Sequence, residues 1–199
     1  GRDRALFHLH TGHDTAAAIA MAQNIPLVLR GDQAASSWAP SLMPDATDET
    51  LQRIKSLYAS DEFFSSRLEQ AIESRNIAGD IHQSGKRIKR IEAANALMIA
   101  AAKFLNAPDG PRIAVVESGG WDTHANEGGA TGRLAQLLAG LDGALATFES
   151  VLGPAWSDTI LLVATEFGRT ARVNGTIGTD HGTATAAFLA GGAVNGGRV

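Results

Sequence analysis

The stretch IAVVESGGWDTH, residues 113–124, joins a short apolar run to a polar segment that contains two glycines. The apolar part has the composition of a buried strand, and Asp122 and His124 follow it closely. The stretch TILLVATEFGRT, residues 159–170, repeats this arrangement with Glu166 after the apolar run. In open α/β sheets, ligands bind beyond the carboxyl ends of the strands, so both polar segments are candidate site loops.

The spacing of these runs predicts a strand–helix–strand unit. Strands are predicted at 113–116 and 159–164, and between them residues 131–152 have the leucine stripe of an amphipathic helix. A connection of this length implies parallel pairing and a right-handed crossover. With a third strand at 184–189, residues 111–199 hold the core strands and the site loops. The fold class is α/β, with a mostly parallel central sheet flanked by helices.

The first third of the chain adds two predicted strands and a loop. Apolar runs at 16–21 and 25–29 have the length of short strands, although Pro26 restricts the second to an edge or a strand start. Glycine and proline predict a loop at 31–47.

A helical region follows at 48–106. Thr47 or Asp48, and then Asp61, have the side chains of N-terminal caps. A long alanine-rich helix is predicted at 86–106. We expect this region to pack on one side of the sheet within a single domain.

Composition narrows the classes of function. The chain has 199 residues, 44% hydrophobic residues, a net charge of −4 and no cysteine. The absence of a basic stripe argues against nucleic acid as a partner. No apolar run approaches the about 20 residues that a membrane span needs. Without thiolates, any metal would be bound by oxygen and imidazole ligands.

Both ends of the sequence resemble interior sequence. The chain starts at Gly1 without Met or a signal-like segment, and it stops in a glycine-rich turn after Gly196. We expect it to be a partial domain from the interior of a longer protein.

Asp122 and His124 are two residues apart directly after a predicted strand. On extended backbone, this spacing places both side chains on the same side. A carboxylate and an imidazole that converge there can bind Zn²⁺, Mn²⁺ or Fe. The alternative is structural: Asp122 caps a turn and His124 lies in a loop without a ligand.

Glu166 ends the most apolar strand of the chain. A carboxylate is costly to bury there unless it is paired or bound to a metal. Arg169 is three residues further on, so a structural Glu166–Arg169 ion pair is one interpretation. In the other, Glu166 is a metal ligand and Arg169, with Arg172, holds an anion.

The third candidate loop is GTDHG, residues 178–182, which leads into AAFLAGG. Adjacent residues on extended backbone point in opposite directions, so one of the two central side chains faces the site. We predict His181 as the metal ligand and Asp180 as the carboxylate that orients an imidazole. No threonine near these loops lies in a nucleophile elbow, so the sequence assigns no nucleophile.

These motifs, in this order, resemble the DUF1501 family, a group similar to sulfatases within the alkaline phosphatase-like superfamily. The matching stretches are PLVLRG at 26–31, SWAP at 37–40, ESGGWDTH at 117–124, TEFGRT at 165–170, NG at 174–175, GTDHG at 178–182 and GGAV at 191–194.

The resemblance implies an alkaline phosphatase-like fold and a divalent metal (Zn, Mn, Ca or Mg) at the carboxyl edge of the sheet. It also implies hydrolysis or transfer of phosphate or sulfate esters, of small molecules or polymers. Mapped onto this chain, the metal ligands are Asp122, His124, Glu166 and His181. Arg169 is the candidate anion stabiliser. Family members usually begin with an export signal, so a periplasmic or secreted location is implied for the full-length protein.

The chain also departs from the superfamily pattern. Phe167 stands where a histidine usually follows the carboxylate of the second strand. The resemblance implies that the first metal-binding aspartate and the nucleophile belong to an amino-terminal part, which we expect to lie outside this sequence. The leading hypothesis is therefore a metal-dependent ester hydrolase of which this chain holds the carboxyl-terminal part of the site. The alternative is a non-catalytic exported binding or assembly protein with a structural metal or polar site.

Overall fold

The structure, a computed structural model, describes residues 17–41, 46–79, 81 and 90–198. Contacts group the chain into two compact units. The first consists of Gly1–Lys89 and Lys103–Val116, and the second of Arg90–Ala102 and Glu117–Val199. The single domain expected from the sequence stays a prediction.

A three-stranded parallel sheet forms the core of the first unit. Its strands are β1 (Ala18–Ala20), β2 (Ala35–Ser37) and β3 (Ile113–Val115), in the order β2-β1-β3. The central strand β1 is fully buried, and Leu29 packs with it. Small alanine side chains suit a central strand because both of its faces are covered. The α/β class predicted from the sequence is confirmed.

Two predictions for this unit are wrong. The predicted strand at 25–29 is instead a 3-10 helix over Leu27–Leu29. Pro26 precedes it with φ of −65° and has no amide hydrogen to donate to a ladder. The predicted loop at 31–47 contains β2, which has no apolar pattern and is held by its backbone ladder with β1.

The helices of this unit begin where their caps were predicted. Helix α1 covers Asp48–Tyr58, and the side chain of Thr47 accepts from the amide of Thr50 at 3.2 Å. Helix α2 covers Glu62–Ala78, and Asp61 Oδ1 accepts from Phe64 at 3.0 Å. These oxygens satisfy amides that the first turn leaves without a helical partner.

Helix α3 covers Arg90–Asn106, and the part of its prediction at 86–89 lies outside the described residues. Near its end, Lys103 Nζ donates to the carbonyl oxygen of Ala78 at 2.7 Å, which satisfies a terminal carbonyl of α2. None of the helices in the described ranges is both long and apolar enough to cross a membrane.

The second unit contains helix α4, Arg133–Leu152, close to the predicted bounds. Its buried residues recur every four positions and form one stripe: Gly140, Ala144, Phe148 and Leu152. The helix ends at Gly153, where φ is +60°, and a 3-10 helix follows over Gly153–Asp158.

The remaining strands form two antiparallel ladders, which corrects the predicted parallel pairing. Strand β4 (Leu161–Val163) pairs with β7 (Phe188–Ala190), whereas β3 pairs with β1. Strands β5 (Gly168–Val173) and β6 (Thr179–Gly182) form a hairpin where loops were predicted. The crossover argument failed because connection length restricts the direction of pairing only when the two strands are neighbours in one sheet.

Candidate metal centre

The hairpin β5–β6 forms one side of the candidate site. Its register pairs Arg169 with His181 and Gly168 with Gly182. Directly opposed residues of an antiparallel ladder share a face, so Arg169 and His181 lie side by side. A Cβ on Gly168 would lie 2.3 Å from the carbonyl oxygen of Gly182, so the strands close only because this position has no side chain.

The segment 121–127 forms the other side and is fastened to the hairpin loop, residues 174–178. Two of its backbone amides donate to carbonyl oxygens of that loop, at 3.0 and 2.9 Å. Gly178 approaches this segment closely, since a Cβ there would lie 2.3 Å from the carbonyl carbon of His124. Thr123 is fully buried, so its neighbours in the chain point outward at the surface.

Three predicted site residues meet where these two sides touch. Asp122 Oδ1 lies 2.8 Å from His124 Nε2 and 2.9 Å from His181 Nε2. One ligand atom from each residue lies within 4.8 Å of the other two, and the described residues contain no other such group. The two imidazole rings stack with centroids 5.0 Å apart. About half of each side chain is exposed, so a divalent ion can reach the group.

Asp180 lies on the far side of His124. Its Oδ1 is 3.0 Å from His124 Nδ1 and accepts from Asn174 Nδ2 at 2.8 Å. A neutral His124 that donates from Nδ1 to Asp180 presents a free lone pair on Nε2 towards Asp122 and His181. This is the tautomer that a metal ligand needs, and a carboxylate on the second nitrogen commonly fixes it.

Both carboxylates are stabilised in the ionised form. The hydrogen bond from His181, with the nearby charges of His124 and Arg169, lowers the pKa of Asp122. The hydrogen bonds from Asn174 and then His124 lower the pKa of Asp180. Metal ligands must be deprotonated, and the lowered pKa keeps Asp122 ionised to a lower pH than an isolated aspartate would be.

Arg169 connects the two sides of the site. Its Nη1 donates to the carbonyl oxygen and to Oγ1 of Thr179, at 2.6 and 2.7 Å, and its Nη2 donates to the carbonyl oxygen of Trp121. Nη2 also lies 3.9 Å from Asp122 Oδ1. The guanidinium therefore holds the backbone at Trp121, next to Asp122, and places positive charge beside that carboxylate.

The alternative ion pair between Glu166 and Arg169 does not form. Glu166 is exposed just after β4 and makes no ion pair with the residues that the structure describes. It also lies outside the group of three potential ligands. Its role as a fourth ligand stays a prediction.

Phe167, at the position where a histidine was expected from the resemblance, packs directly on a potential ligand. Its ring stacks on that of His181 with centroids 4.3 Å apart and an interplanar angle of 17°. The guanidinium carbon of Arg169 lies 5.4 Å from the centre of the same ring. The ring of His181 is thus in stacking contact with both Phe167 and His124, which restricts its orientation.

Two residues of the site were not selected by sequence reasoning. Asn174 contacts both Asp180 and the backbone of His124, and Gly178 allows the close approach described above. The Asn174-Gly175 dipeptide is a turn signal that indicates the hairpin. Nothing in it indicates that the side chain would reach a loop 50 residues earlier in the chain.

Two imidazole nitrogens and one carboxylate oxygen are a donor set used by catalytic zinc sites and by non-haem iron sites. In such sites, three protein ligands leave coordination positions for water or substrate. The arrangement is therefore chemically suited to bind a divalent transition metal and to present it to a ligand from solution.

The chain belongs to the DUF1501 family, whose description is "Protein of unknown function (DUF1501)", because residues 6–199 match that family. No curated protein and no solved structure matches the chain.

Proposed function

We propose that this DUF1501 protein is a metal-dependent hydrolase of phosphate or sulfate esters. The observation on which the proposal depends is the convergence of Asp122, His124 and His181, whose ligand atoms lie within 4.8 Å of one another. The family resemblance supports the reaction class and, with it, a sulfatase-like, alkaline phosphatase-like fold and a periplasmic or secreted location.

The three side chains would hold the ion through Asp122 Oδ1, His124 Nε2 and His181 Nε2. A bound divalent ion would polarise the ester and stabilise the charge that develops on its oxygens. Asp180 would keep His124 in the required tautomer, and Phe167 would keep the ring of His181 in place. These supports reduce the reorganisation that binding requires.

Arg169 has two proposed roles. Its hydrogen bonds to Thr179 and Trp121 hold the two sides of the site together. Its charge, 3.9 Å from Asp122 Oδ1, would also attract the anionic ester and stabilise its transition state. Because the side chain is 19% exposed and both Nη atoms already donate to the protein, Arg169 would act on the ester through its charge and not through a direct hydrogen bond from these atoms.

A second candidate is a non-catalytic exported binding or assembly protein. One observation favours it: both ring nitrogens of His124 already face carboxylates, so a protonated His124 forms a complete polar network without an ion. In this case the site would stabilise the loops and would have no turnover. Phe167, in place of a histidine, fits this role as well.

Metal content and turnover separate the two candidates. The purified protein is freed of metal, titrated with Zn²⁺, Mn²⁺ or Ca²⁺, and assayed with aryl phosphates and aryl sulfates. We expect one bound ion per site and turnover that Asp122→Ala abolishes while the fold remains. Asp142→Ala, an exposed carboxylate on α4, is the matched control. Metal binding without turnover supports the second candidate, and no binding overturns the proposed metal centre.

A further inference from the structure

Asn174 occupies the first position of the loop between β5 and β6, and the two ends of its amide face different partners. The oxygen faces its own loop, whereas the nitrogen faces the segment that bears His124. The side chain is therefore placed to connect the hairpin to that segment.

The oxygen closes the hairpin loop. Asn174 Oδ1 accepts from the amide of Thr176 at 3.0 Å, from its hydroxyl at 2.9 Å and from the amide of Gly178 at 3.0 Å. This is the side-chain turn that asparagine and aspartate both form, so it requires only an acceptor.

The amide nitrogen of Asn174 acts on His124 in two ways, directly at its backbone and through Asp180 at its imidazole. Asn174 Nδ2 donates to the backbone carbonyl of His124 at 2.9 Å and to Asp180 Oδ1 at 2.8 Å. The same Asp180 oxygen lies 3.0 Å from His124 Nδ1. One amide group thus holds the backbone carbonyl of His124 directly and its imidazole through Asp180.

We infer that Asn174 is a positioning residue of the metal site: its amide nitrogen fixes His124 directly and through Asp180, and so sets the affinity for the ion. The inference rests on the proposed function. Only the amide nitrogen of Asn174 has this role, because the amide oxygen accepts hydrogen bonds within the hairpin loop. Aspartate at this position would keep the acceptor, lose the donor and add a negative charge beside Asp180.

Asn174→Asp is consequently the informative substitution. Zinc affinity of the metal-free protein is measured by titration calorimetry, and folding is checked by thermal melting without metal. We expect the variant to fold and to bind zinc about 10–100-fold more weakly, the usual effect of losing an orienting partner. Nitrogen NMR of the zinc-bound proteins should also show a weaker hydrogen bond from His124 Nδ1 to Asp180 in Asn174→Asp than in the unsubstituted protein.

Two further variants test whether Asn174 acts on His124 through Asp180 or through the His124 carbonyl oxygen. Thr176→Ala removes a hydroxyl that lies 2.7 Å from the His124 carbonyl oxygen and 2.9 Å from Asn174 Oδ1, and it leaves Asn174 Nδ2 and Asp180 in place, so we expect a smaller loss of affinity. In an Asp180→Asn background, the effect of Asn174→Asp should shrink by several-fold because the shared partner has been altered. If Asn174→Asp does not fold, Asp180→Asn tests the same route, and unchanged zinc affinity there overturns it.

The outcomes distinguish this inference from the proposed function. Equal zinc affinity in the unsubstituted protein and in Asn174→Asp overturns the inference and leaves the metal centre intact. A loss in Thr176→Ala as large as that in Asn174→Asp overturns the route through Asp180. If the unsubstituted protein binds no zinc, the proposed function fails and the inference fails with it.

Discussion

His124 Nδ1 lies 3.0 Å from Asp180 Oδ1, while the opposite nitrogen of the same ring lies 2.8 Å from Asp122 Oδ1. One imidazole is therefore held between two carboxylates that come from separate segments of the chain. Asp122 has the position of a fellow ligand, and Asp180 has that of an orienting partner. The roles differ because His181 is also beside Asp122, whereas Asn174 is beside Asp180.

The donor set predicts selectivity among divalent ions. Imidazole nitrogens suit Zn²⁺ and its transition-metal neighbours, whereas Ca²⁺ and Mg²⁺ prefer shells of oxygen. We expect Zn²⁺ or Co²⁺ to bind and a large excess of Ca²⁺ or Mg²⁺ to leave the bound ion in place. Competition followed by titration calorimetry measures this. Displacement of zinc by Ca²⁺ would show that oxygen ligands dominate the site.

Gly178→Ala should disrupt the site through the backbone. The added Cβ would lie 2.3 Å from the carbonyl carbon and oxygen of His124, and main-chain atoms cannot move aside as a flexible side chain can. We expect a loss of about 1–3 kcal/mol in the free energy of unfolding and weaker zinc binding.

Gly175→Ala is the matched control for this substitution. It lies in the same loop, but a Cβ there has nothing within 4 Å. We expect its denaturant unfolding curve and its zinc affinity to resemble those of the unsubstituted protein. Equal behaviour of the two variants would mean that Gly178 does not contact His124 in solution.

Phe167→Leu tests the support of His181. The substitution keeps an apolar side chain but removes the ring that stacks at 4.3 Å, an interaction worth about 0.5–1.5 kcal/mol. If that energy orients the ligand, zinc affinity should fall by up to about tenfold. Phe188→Leu, at a 56% exposed ring on β7, is the control. Unchanged affinity in Phe167→Leu would assign the stacking to folding alone.

Ile177→Gly should stabilise the protein. Ile177 has φ of +59°, a conformation that costs a residue with a Cβ about 1–2 kcal/mol. Its side chain is 65% exposed, so little burial is lost. Glycine offsets about 0.5–1 kcal/mol of the gain because it makes the unfolded chain more flexible. We expect a net gain of up to about 1 kcal/mol in chemical denaturation. A less stable Ile177→Gly would show that the side chain makes contacts that outweigh the strain.

Local signals in the sequence predicted the features that depend on neighbouring residues. Thr47 and Asp61 cap the helices for which they were chosen, and the leucine stripe located α4. The candidate ligands Asp122, His124 and His181 do converge. The cap and stripe predictions succeeded because capping and periodicity depend on a few adjacent residues, whereas the metal-ligand role of the three converging side chains stays a prediction.

Pairing between distant segments was not predictable in the same way. The hairpin β5–β6 has no apolar alternation, and its closest approach depends on two glycines that offer no side-chain signal. Strand β4 pairs with β7, although its position suggested a parallel neighbour. Asn174 was overlooked because a turn residue and a residue that reaches a distant loop have the same local sequence.

Crystallography at the zinc absorption edge tests the central claim most directly. Crystals of the metal-free protein are soaked in Zn²⁺, and an anomalous map is calculated. We predict one strong peak within about 2.0–2.2 Å of Asp122 Oδ1, His124 Nε2 and His181 Nε2. A map with no peak at these three atoms, or with zinc bound only elsewhere, would contradict the metal centre and the function built on it.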